Sequence, residues 1–581
     1  MELVIVESPS KCKTVQTLLG PNFKCSATCG HIVELRGLES LGAPTFEPAY
    51  STIPRQKTRL AAMRRMAKQA VAVWLATDAD REGEAIAFHV SLLLGIDPSK
   101  KNRIRFSEIT QGALRHAMRN PDSIDMSLVG AQMSRQAVDM MVGFRLSPYL
   151  WDLAPKLSCG RCQTPALRMI AEAALETAPT ETKVIGHGIF TACRLRFAMD
   201  NPPKFFRDAK ALLAARHDHR IVIGVETAFS ESPPKPFDTV LLQQASYNVL
   251  GIPPAETMSL AQSLYEAGRI TYMRTDSTGY SVDFSTKAAW FITQEFGKQF
   301  VLTSPPVSTG AHEAIRVTDL EDTPAGSSKI DKLYRLIWNN SLQSLMSEHQ
   351  GTARLDKVVG TAGLSYSRNA KLTTFSGWRE AAGGTHTGED FAYLERLSRD
   401  DDVGCSRICI EETCMVPHRQ YTEAGLIARL RRAGIGRPST FASIVAKLIE
   451  RKYVEFGVMD SSSVELRKVE RVGGEVFEST SSKSLSQSGK LLRITGLGRI
   501  ALERLMSLNL PIFDYGYTAE LELELDMVAR GCKDRVEVCR NLSKTLDSYT
   551  LVNAPPKTTA AQPRVARRSS GRSKSKGRSN V

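Results

Sequence analysis

Residues 71–85 read VAVWLATDADREGEA: a short apolar run, a polar turn, and the start of a helix continued by Ile86, Phe88, Val90 and Leu93. An apolar run of that length bounded by turn residues predicts a strand buried on both faces, as in a parallel sheet. The same grammar stands at the head of the chain. Leu3 to Val6 is apolar, Glu7-Ser8-Pro9-Ser10-Lys11 makes the turn, and Thr14, Val15, Leu18 and Leu19 take up helical spacing. Strand, polar turn and helix, twice over, predict a doubly wound α/β unit. Ligands gather at the carboxyl ends of the strands in such units, so Glu7 is expected to share a crevice with the acids that follow Thr77.

Asp78, Asp80 and Glu82 alternate, and an extended turn would aim all three carboxylates one way. Three anions so close repel one another unless something positive sits among them. Hard oxygen donors in an open, partly hydrated site suit Mg²⁺ better than zinc or calcium. Complementing a helix N-terminus would account for Glu82 and Glu84, but it leaves both aspartates unexplained.

The second chemical signal is ITYMRTDST, Ile270 to Thr278. Ile-Thr-Tyr predicts a strand by its β-branched and aromatic content, and alternation then puts Tyr272 and Arg274 on one face, about 7 Å apart. A phenol of pKa ~10 is a poor nucleophile at neutral pH unless a cation favours the phenolate or a base takes its proton. Arg274 supplies such a cation and would also neutralise a phosphate under attack. A lone tyrosine and arginine at this spacing is ordinarily a half-buried phenol beside a snorkelling side chain, so the reading depends on the rest of the chain.

With 581 residues the chain can build several cores. Its 42% apolar and 24% charged residues are an ordinary soluble composition. MELVIVESPS has no basic segment ahead of a long apolar one, so no signal peptide is expected, and no run reaches the roughly 18–20 apolar residues of a membrane helix. A formal charge of +14 favours a polyanionic partner. More than half of that excess lies from Lys557 onward, in a tail of Ser, Gly, Pro and basic residues that is expected to be disordered. It reads as a phosphate-binding arm, an import signal or a solubilising tail. Eleven cysteines without a framework indicate reduced thiols in an intracellular protein. Cys159 and Cys162 lack a second pair nearby, and Cys405, Cys409 and Cys414 are too irregular for a four-ligand site, so zinc is not expected.

Between these signals, QMSRQAVDMMVGF to RMIAEAAL predicts helix, turn and long helix, with Arg135, Asp139 and Arg145 close together and Arg161 and Gln163 at the second helix head, a ready phosphate site. Residues 178–229 alternate as short strands with no visible chemistry, ESPPKPF is a rigid linker, and 351–415 is again β-rich. In GAHEAIRVTD, a helical turn from His312 would set Arg316 on the same side. YTEAGLIARLRRAGIGRPSTFASIVAKLIERKYVEF predicts helix, turn, a second helix with Pro438 just inside it, and a wing strand at Lys452-Tyr453-Val454. Arg437, Ser439 and Thr440 at that helix head would grip phosphate. The acids from Glu520 to Asp526 read as a solvated helix face.

LVIVESPSKCKT, LATDADREGEAIAFH, RFSEIT, LSCGRCQTPALR, LYEAGRITYMRTDST, AHEAIRVTD, YTEAGLIARLRRAGIGRPSTFASI and DYGYTAELELELD together resemble the type IA DNA topoisomerases, in that family's order and over about residues 1–545. The resemblance implies a Toprim metal domain, a lid carrying the tyrosine, and β-rich arms closing a toroidal clamp around DNA. Tyr272 would be the nucleophile, Arg274 its phosphate partner, Glu7 would handle the proton of the 3′ oxygen, and Lys11 would stabilise the pentavalent phosphorus. Asp78, Asp80 and Glu82, with Glu7, would hold Mg²⁺. Arg103, Arg135, Asp139, His312 and the GRPST turn match positions that contact or order the single strand. RQAVDMMVGF is closer to the topoisomerase I branch than to the topoisomerase III branch. The chain departs from the pattern at Gln136, where bacterial members often carry a second arginine, and at Val317, where they usually have proline. The basic tail stands where cysteine-rich zinc ribbons would follow.

The expected fold is therefore multidomain α/β and α+β. It comprises a Toprim domain at 1–115, a helical DNA-binding part at 116–175, a β-rich arch at 176–231 and a lid at 232–350. The second half of the arch falls at 351–416, a helical winged-helix-like part at 417–550, and the tail at 551–581. The expected activity is ATP-independent, Mg²⁺-dependent cleavage of one DNA strand through a 5′-phosphotyrosine, strand passage and religation, relaxing negatively supercoiled DNA. A monomer acting on single-stranded DNA segments is expected, located with the DNA inside the cell, with no membrane and no nucleotide cofactor, since no GxxxxGK[ST] loop occurs. A Toprim primase or nuclease would use the same acids but leaves ITYMRTDST unexplained. An inactive DNA clamp needs no Tyr272.

Overall fold

The structure, a computed structural model, describes residues 1–175, 181–190, 195–215, 218–308, 312–384, 388–395, 403–415, 420–457, 462–485 and 490–550; the basic tail from Lys557 lies outside them. The chain opens with β1 (Glu2–Val6), α1 (Pro9–Leu19), β2 (Phe23–Ala27), a short antiparallel pair β3 (Val33–Glu34) and β4 (Ser51–Thr52), α2 (Lys57–Gln69), β5 (Val73–Leu75) and α3 (Arg81–Leu94). β1 lies between β2 and β5, parallel to both. Its four apolar residues are all fully buried, for a reason the pleat supplies. Leu3 and Ile5 face a core with Leu75, Ile86 and Val90, while Val4 and Val6 face another with Val15, Ile104, Ile270 and Tyr272. The second core joins the α/β unit to the tyrosine region.

Next come α4 (Gln111–Arg119), α5 (Met126–Leu146) and α6 (Gln163–Leu175), then β6 (Glu181–Phe190), β7 (Arg196–Met199), α7 (Ala209–Ala214), β8 (His219–Val222) and β9 (Glu226–Glu231). α8 (Thr239–Ala245), α9 (Pro254–Glu266), α10 (Val282–Glu295) and α11 (Lys329–Gln343) build the tyrosine region. β10 (His349–Gly360), β11 (Ser365–Phe375), α12 (Glu389–Glu395) and β12 (Cys405–Met415) follow. The two β-rich pieces, separated in sequence by the tyrosine region, merge in one nine-stranded sheet. The pieces pair at several places, β7 with β11, β8 and β9 with β10, and β6 with β12, the last antiparallel with His187 opposite Cys409 and Ile185 opposite Glu411.

The last part holds α13 (Glu423–Arg432), α14 (Phe441–Glu450), β13 (Val454–Gly457), β14 (Ser462–Val472), β15 (Glu475–Leu485), β16 (Leu491–Ile494), α15 (Gly496–Met506), α16 (Tyr515–Ala529) and α17 (Arg535–Thr550). β13 and β16 pair as the wing beside α14. Between them the hairpin β14–β15 leaves the helical part and extends the large sheet through β12, which the helical reading of 417–550 did not include. Pro438 sits in the turn before α14, not inside the helix, because Thr440 is the cap residue.

The solvated face expected for Glu520 to Asp526 is only partly solvated. α16 packs on α5 and buries Glu522 completely, among Arg135 at 3.4 Å, Arg161 at 2.6 Å and Arg437 at 3.9 Å. Asp526 accepts from both Arg437 and Arg81. Burial by itself would raise the Glu522 carboxyl, but the three guanidiniums, Arg161 foremost, overcome it and hold the group at about 2.

Glu522→Gln should therefore cost ~3 kcal/mol at pH 7, because it strands buried guanidiniums without their anion. A folded-state pKa below the unfolded value means the stabilisation is complete above the ordinary glutamate pKa of ~4.3 and disappears as pH falls through the folded value. Urea unfolding of both proteins should accordingly show the difference shrinking between roughly pH 4 and pH 2; a gap unchanged over that range would show that the charge contributes nothing.

Candidate active site

Two helix starts shape the acidic crevice. At the end of β1, Ser8 caps α1 by accepting from the Lys11 N–H, with Pro9 at the first helical position. This leaves Glu7 at the strand end and turns Lys11 inward. At the end of β5, Asp80 caps α3, one carboxylate oxygen accepting from the Gly83 N–H at 2.8 Å. Gly83 is required here, since a Cβ would lie 2.3 Å from the Asp78 carbonyl oxygen. The three acids do not sit on one extended turn as expected: Asp80 is the cap, and Glu82 already lies in the helix.

The two ends meet. The Asp78 N–H donates to Glu7 Oε1 at 3.2 Å, and the fully buried Lys11 ammonium bonds Asp78. Burial, then the neighbouring Asp78 charge, push the Glu7 carboxyl well above its ordinary range despite Lys11. Burial works against the Lys11 charge too, but Tyr265, Asp78 and Glu7 hold the ammonium above its usual value. Glu82 is the most open of the acids and pairs with His31 at 3.4 Å and Arg274 at 3.5 Å.

Tyr272 is only 3% exposed, yet it reaches this crevice: its hydroxyl donates to the second Asp80 oxygen at 2.6 Å. Its ring meets Tyr265 edge-on and stacks on His312 at 6.3 Å. Arg274 lies 3.9 Å from the same Asp80 oxygen. The segment is not a regular strand. Ile270 makes one bridge to Val317, the Tyr272 N–H bonds the Ser107 carbonyl, and Thr271 bonds Ala314 and Arg316, so two separate segments hold it extended. Arg274 does favour the phenolate, as expected, but it does not prevail. Burial and the Asp80 and Asp78 charges outweigh Arg274 and raise the Tyr272 hydroxyl well above its ordinary value.

Of the residues read as strand contacts, several lie inside. Arg103 is fully buried and donates to Glu84 and to the carbonyls of Leu75, Thr77, Asp78 and Ile104, cross-linking the acidic turn from beneath. Glu84, also fully buried, is its counter-ion and Arg105's. Arg316, 4% exposed, is held by Glu313 and Glu108 at 2.9 Å and lies over the Phe284 ring. His312 to Arg316 is extended rather than helical, because Ile315 bridges Phe237. Arg437 is taken up by Asp526 and the Gly434 and Gly436 carbonyls. A buried guanidinium with its donors committed orders the fold rather than gripping a strand.

The other expected contacts converge. Arg135, Asp139, Arg161, Gln163 and Thr440 line a single cavity of about 890 Å³, with Lys447 and Arg451 adding positive charge and Trp151 an aromatic face. Arg161 bonds Asp139 at 2.7 Å, Arg451 bonds Gln163, and Thr440 Oγ1 accepts from the Arg437 N–H. Ser439 is exposed beside it. His31, absent from the sequence reading, lines this cavity and also touches Glu82, so it joins the cavity to the acids. Its only sequence signal was its place after the second strand.

The Glu7, Asp78, Asp80 and Glu82 donor set is all oxygen, and half-buried Glu7 lies against Asp78 with Lys11 as the neighbouring cation. That chemistry fits a hard divalent cation.

The family model described as DNA topoisomerase matches residues 123–464, and the Toprim domain, a metal-binding fold, matches residues 2–109. DNA topoisomerase 1 of Pseudomonas aeruginosa is 31% identical over 92% of this chain and 64% of its own length; that of Escherichia coli is 30% identical over 91% and 64%. The chain thus spans just under two thirds of the curated relatives it matches. The solved full-length topoisomerase I of Thermotoga maritima superposes with a TM-score of 0.80 at 30% identity, covering 94% of this chain and 90% of that one. Toprim fold, large sheet and tyrosine region together place the chain in the bacterial type IA DNA topoisomerase family.

Proposed function

We propose that this chain cuts and rejoins one strand of DNA through Tyr272, relaxing negatively supercoiled DNA without ATP. The observation that carries this reading is the 2.6 Å contact between the Tyr272 hydroxyl and Asp80, which sets a phenol oxygen on the carboxylate that Arg274 also faces, beside the crevice lined by Glu7, Asp78 and Arg274. The phenol oxygen attacks a phosphorus in line, forming the tyrosine–phosphorus bond and breaking the bond to the 3′ oxygen. Asp80, already its acceptor, is placed to receive the phenol proton. The Glu7 carboxyl, whose hold on a proton is strengthened by burial and the Asp78 charge, is placed to give a proton to the leaving 3′ oxygen. Arg274, a third exposed, neutralises the phosphate, and Lys11 acts from below as a fixed positive charge. Attack by the 3′-hydroxyl on the phosphotyrosine reverses every step, so the backbone energy is conserved in the covalent link.

Mg²⁺ held by Asp78, Asp80, Glu82 and Glu7 would supply a hard positive charge that gathers the carboxylates and the strand ends for religation. The cavity that Lys447, Arg451 and Trp151 open onto, its wall stiffened by Arg135 and Arg161, suits a single strand gripped by phosphate contacts and stacking. His312, stacked on Tyr272, keeps the ring aligned. The working unit is a monomer acting inside the cell with its DNA, the large sheet closes the ring through which the second strand passes, and the basic tail adds a nonspecific phosphate grip. Among the described residues no helix is long and apolar enough to cross a membrane.

Incubating the protein and Mg²⁺ with negatively supercoiled plasmid should give a ladder of closed topoisomers on a gel; nicked or linear product alone would favour a nuclease. Tyr272→Phe should retain single-strand binding within about threefold while abolishing the covalent protein–DNA adduct trapped by denaturant, and an adduct that survives would place the nucleophile elsewhere. Gly83→Ala, which forces the Asp78 backbone aside, should lower religation by at least ~100-fold, consistent with the rate lost to ångström-scale misplacement. Near-normal religation would show that the acidic turn tolerates displacement.

A further inference from the structure

The β-rich sheet has no part in the chemistry above, yet one of its seams brings His187 to two side chains more than two hundred residues further along the chain. His187 on β6 stands directly opposite Cys409 on β12, and Glu411, two residues further along β12, falls on the same face. The ligand atoms of His187, Cys409 and Glu411 all lie within 4.8 Å of one another. Cys409 is fully buried although its strand neighbours Ile408 and Ile410 fill the core on the opposite face. The thiol is thus buried beneath polar side chains rather than packed among aliphatic ones.

We infer that His187, Cys409 and Glu411 form a three-ligand site for a borderline divalent cation of the Zn²⁺ class, pinning β6 to β12. Imidazole nitrogen, thiolate sulfur and carboxylate oxygen are the donor types zinc takes, and three protein ligands leave the fourth tetrahedral position to water. Ligand atoms around tetrahedral zinc stand roughly 3.5 Å apart, so the three close by about an ångström, within the reach of side-chain rotation. On binding, the Cys409 S–H bond breaks, the proton leaves to solvent, and the sulfur pair forms the metal bond.

The charges around the site define its occupant. Arg407 and Lys468 are both engaged with Glu470 on β14. Arg196, on β7, lies 2.9 Å from His187 Nδ1 and 3.8 Å from Glu411. Its guanidinium therefore holds the place a metal would take, on a side chain 59% exposed and free to swing into water. Arg196 and the metal compete for one pair of ligands. This site is separate from the oxygen-lined acids near Tyr272, which suit a harder ion.

The test uses the full chain, stripped with chelator and titrated with Co²⁺ as a spectroscopic stand-in for Zn²⁺. One equivalent should bind with a thiolate-to-cobalt charge-transfer band, displaced by Zn²⁺. Cys409→Ser should lose the band, His187→Gln should weaken binding at least tenfold, and Arg196→Ala should tighten it by threefold or more. Zn²⁺ should raise the melting temperature of the parent but not of Cys409→Ser, whose metal-free melting temperature should match the parent's. Absence of the band at one equivalent of Co²⁺, or its survival in Cys409→Ser, would overturn the assignment.

Discussion

The hydrogen bond from the Tyr272 phenol to Asp80 ties the two halves of the molecule together. Asp80 can accept it only because its other oxygen caps α3 and fixes the carboxylate. The cap in turn depends on Gly83 letting the Asp78 carbonyl approach, and Asp78 is held from below by Arg103 and alongside by Lys11. A phenol buried in this way is kept neutral by its surroundings. In the reaction proposed above, Asp80 takes the phenol proton as a phosphate arrives, and loss of this contact would let the tyrosine region part from the α/β unit.

The two regions are closed by more than this bond. Val4 and Val6 share a core with Ile270 and Tyr272, Ser107 bonds both Tyr272 and Glu313, and Arg316 reaches Glu108. The polar contacts can pass to water or DNA when the surfaces separate, whereas the apolar ones are lost outright at roughly 25 cal/mol per Å² exposed. Parting the two regions would therefore cost free energy that no partner on either surface returns. The Arg135, Arg161 and Arg437 cluster around Glu522 is the counterpart beside the large cavity, a set of charges neutralised internally so that the cavity wall is stiff.

Much of the site was legible in short motifs. Glu7, Lys11, Asp78 and Asp80 lie at strand ends and helix starts, and capping grammar is local, so VESPSK and TDADREGE carry their own geometry. Tyr272 stood out by residue type but its setting did not: its segment is held by Ser107, Ala314 and Arg316, and none of these can be read from ITYMRTDST. The phenol's protonation was misread for a related reason, since Arg274 is a near neighbour in sequence while the opposing Asp80 is far away.

The amino-acid sequence by itself determined the parallel strands, the helix starts and the polar turns between them, because each is decided by residues within a few positions of one another. Tertiary structure alone decided which charges are working surface and which are framework. Arg103, Arg316 and Arg437 look like phosphate contacts in a one-dimensional reading, and Glu522 looks solvated. Whether a charge is buried depends on what packs over it, and for Glu522 that partner is Arg161, far back along the chain. The same holds for His187 and Cys409, which become neighbours only when two distant strands pair, since a β-ladder places residues by register and not by sequence distance.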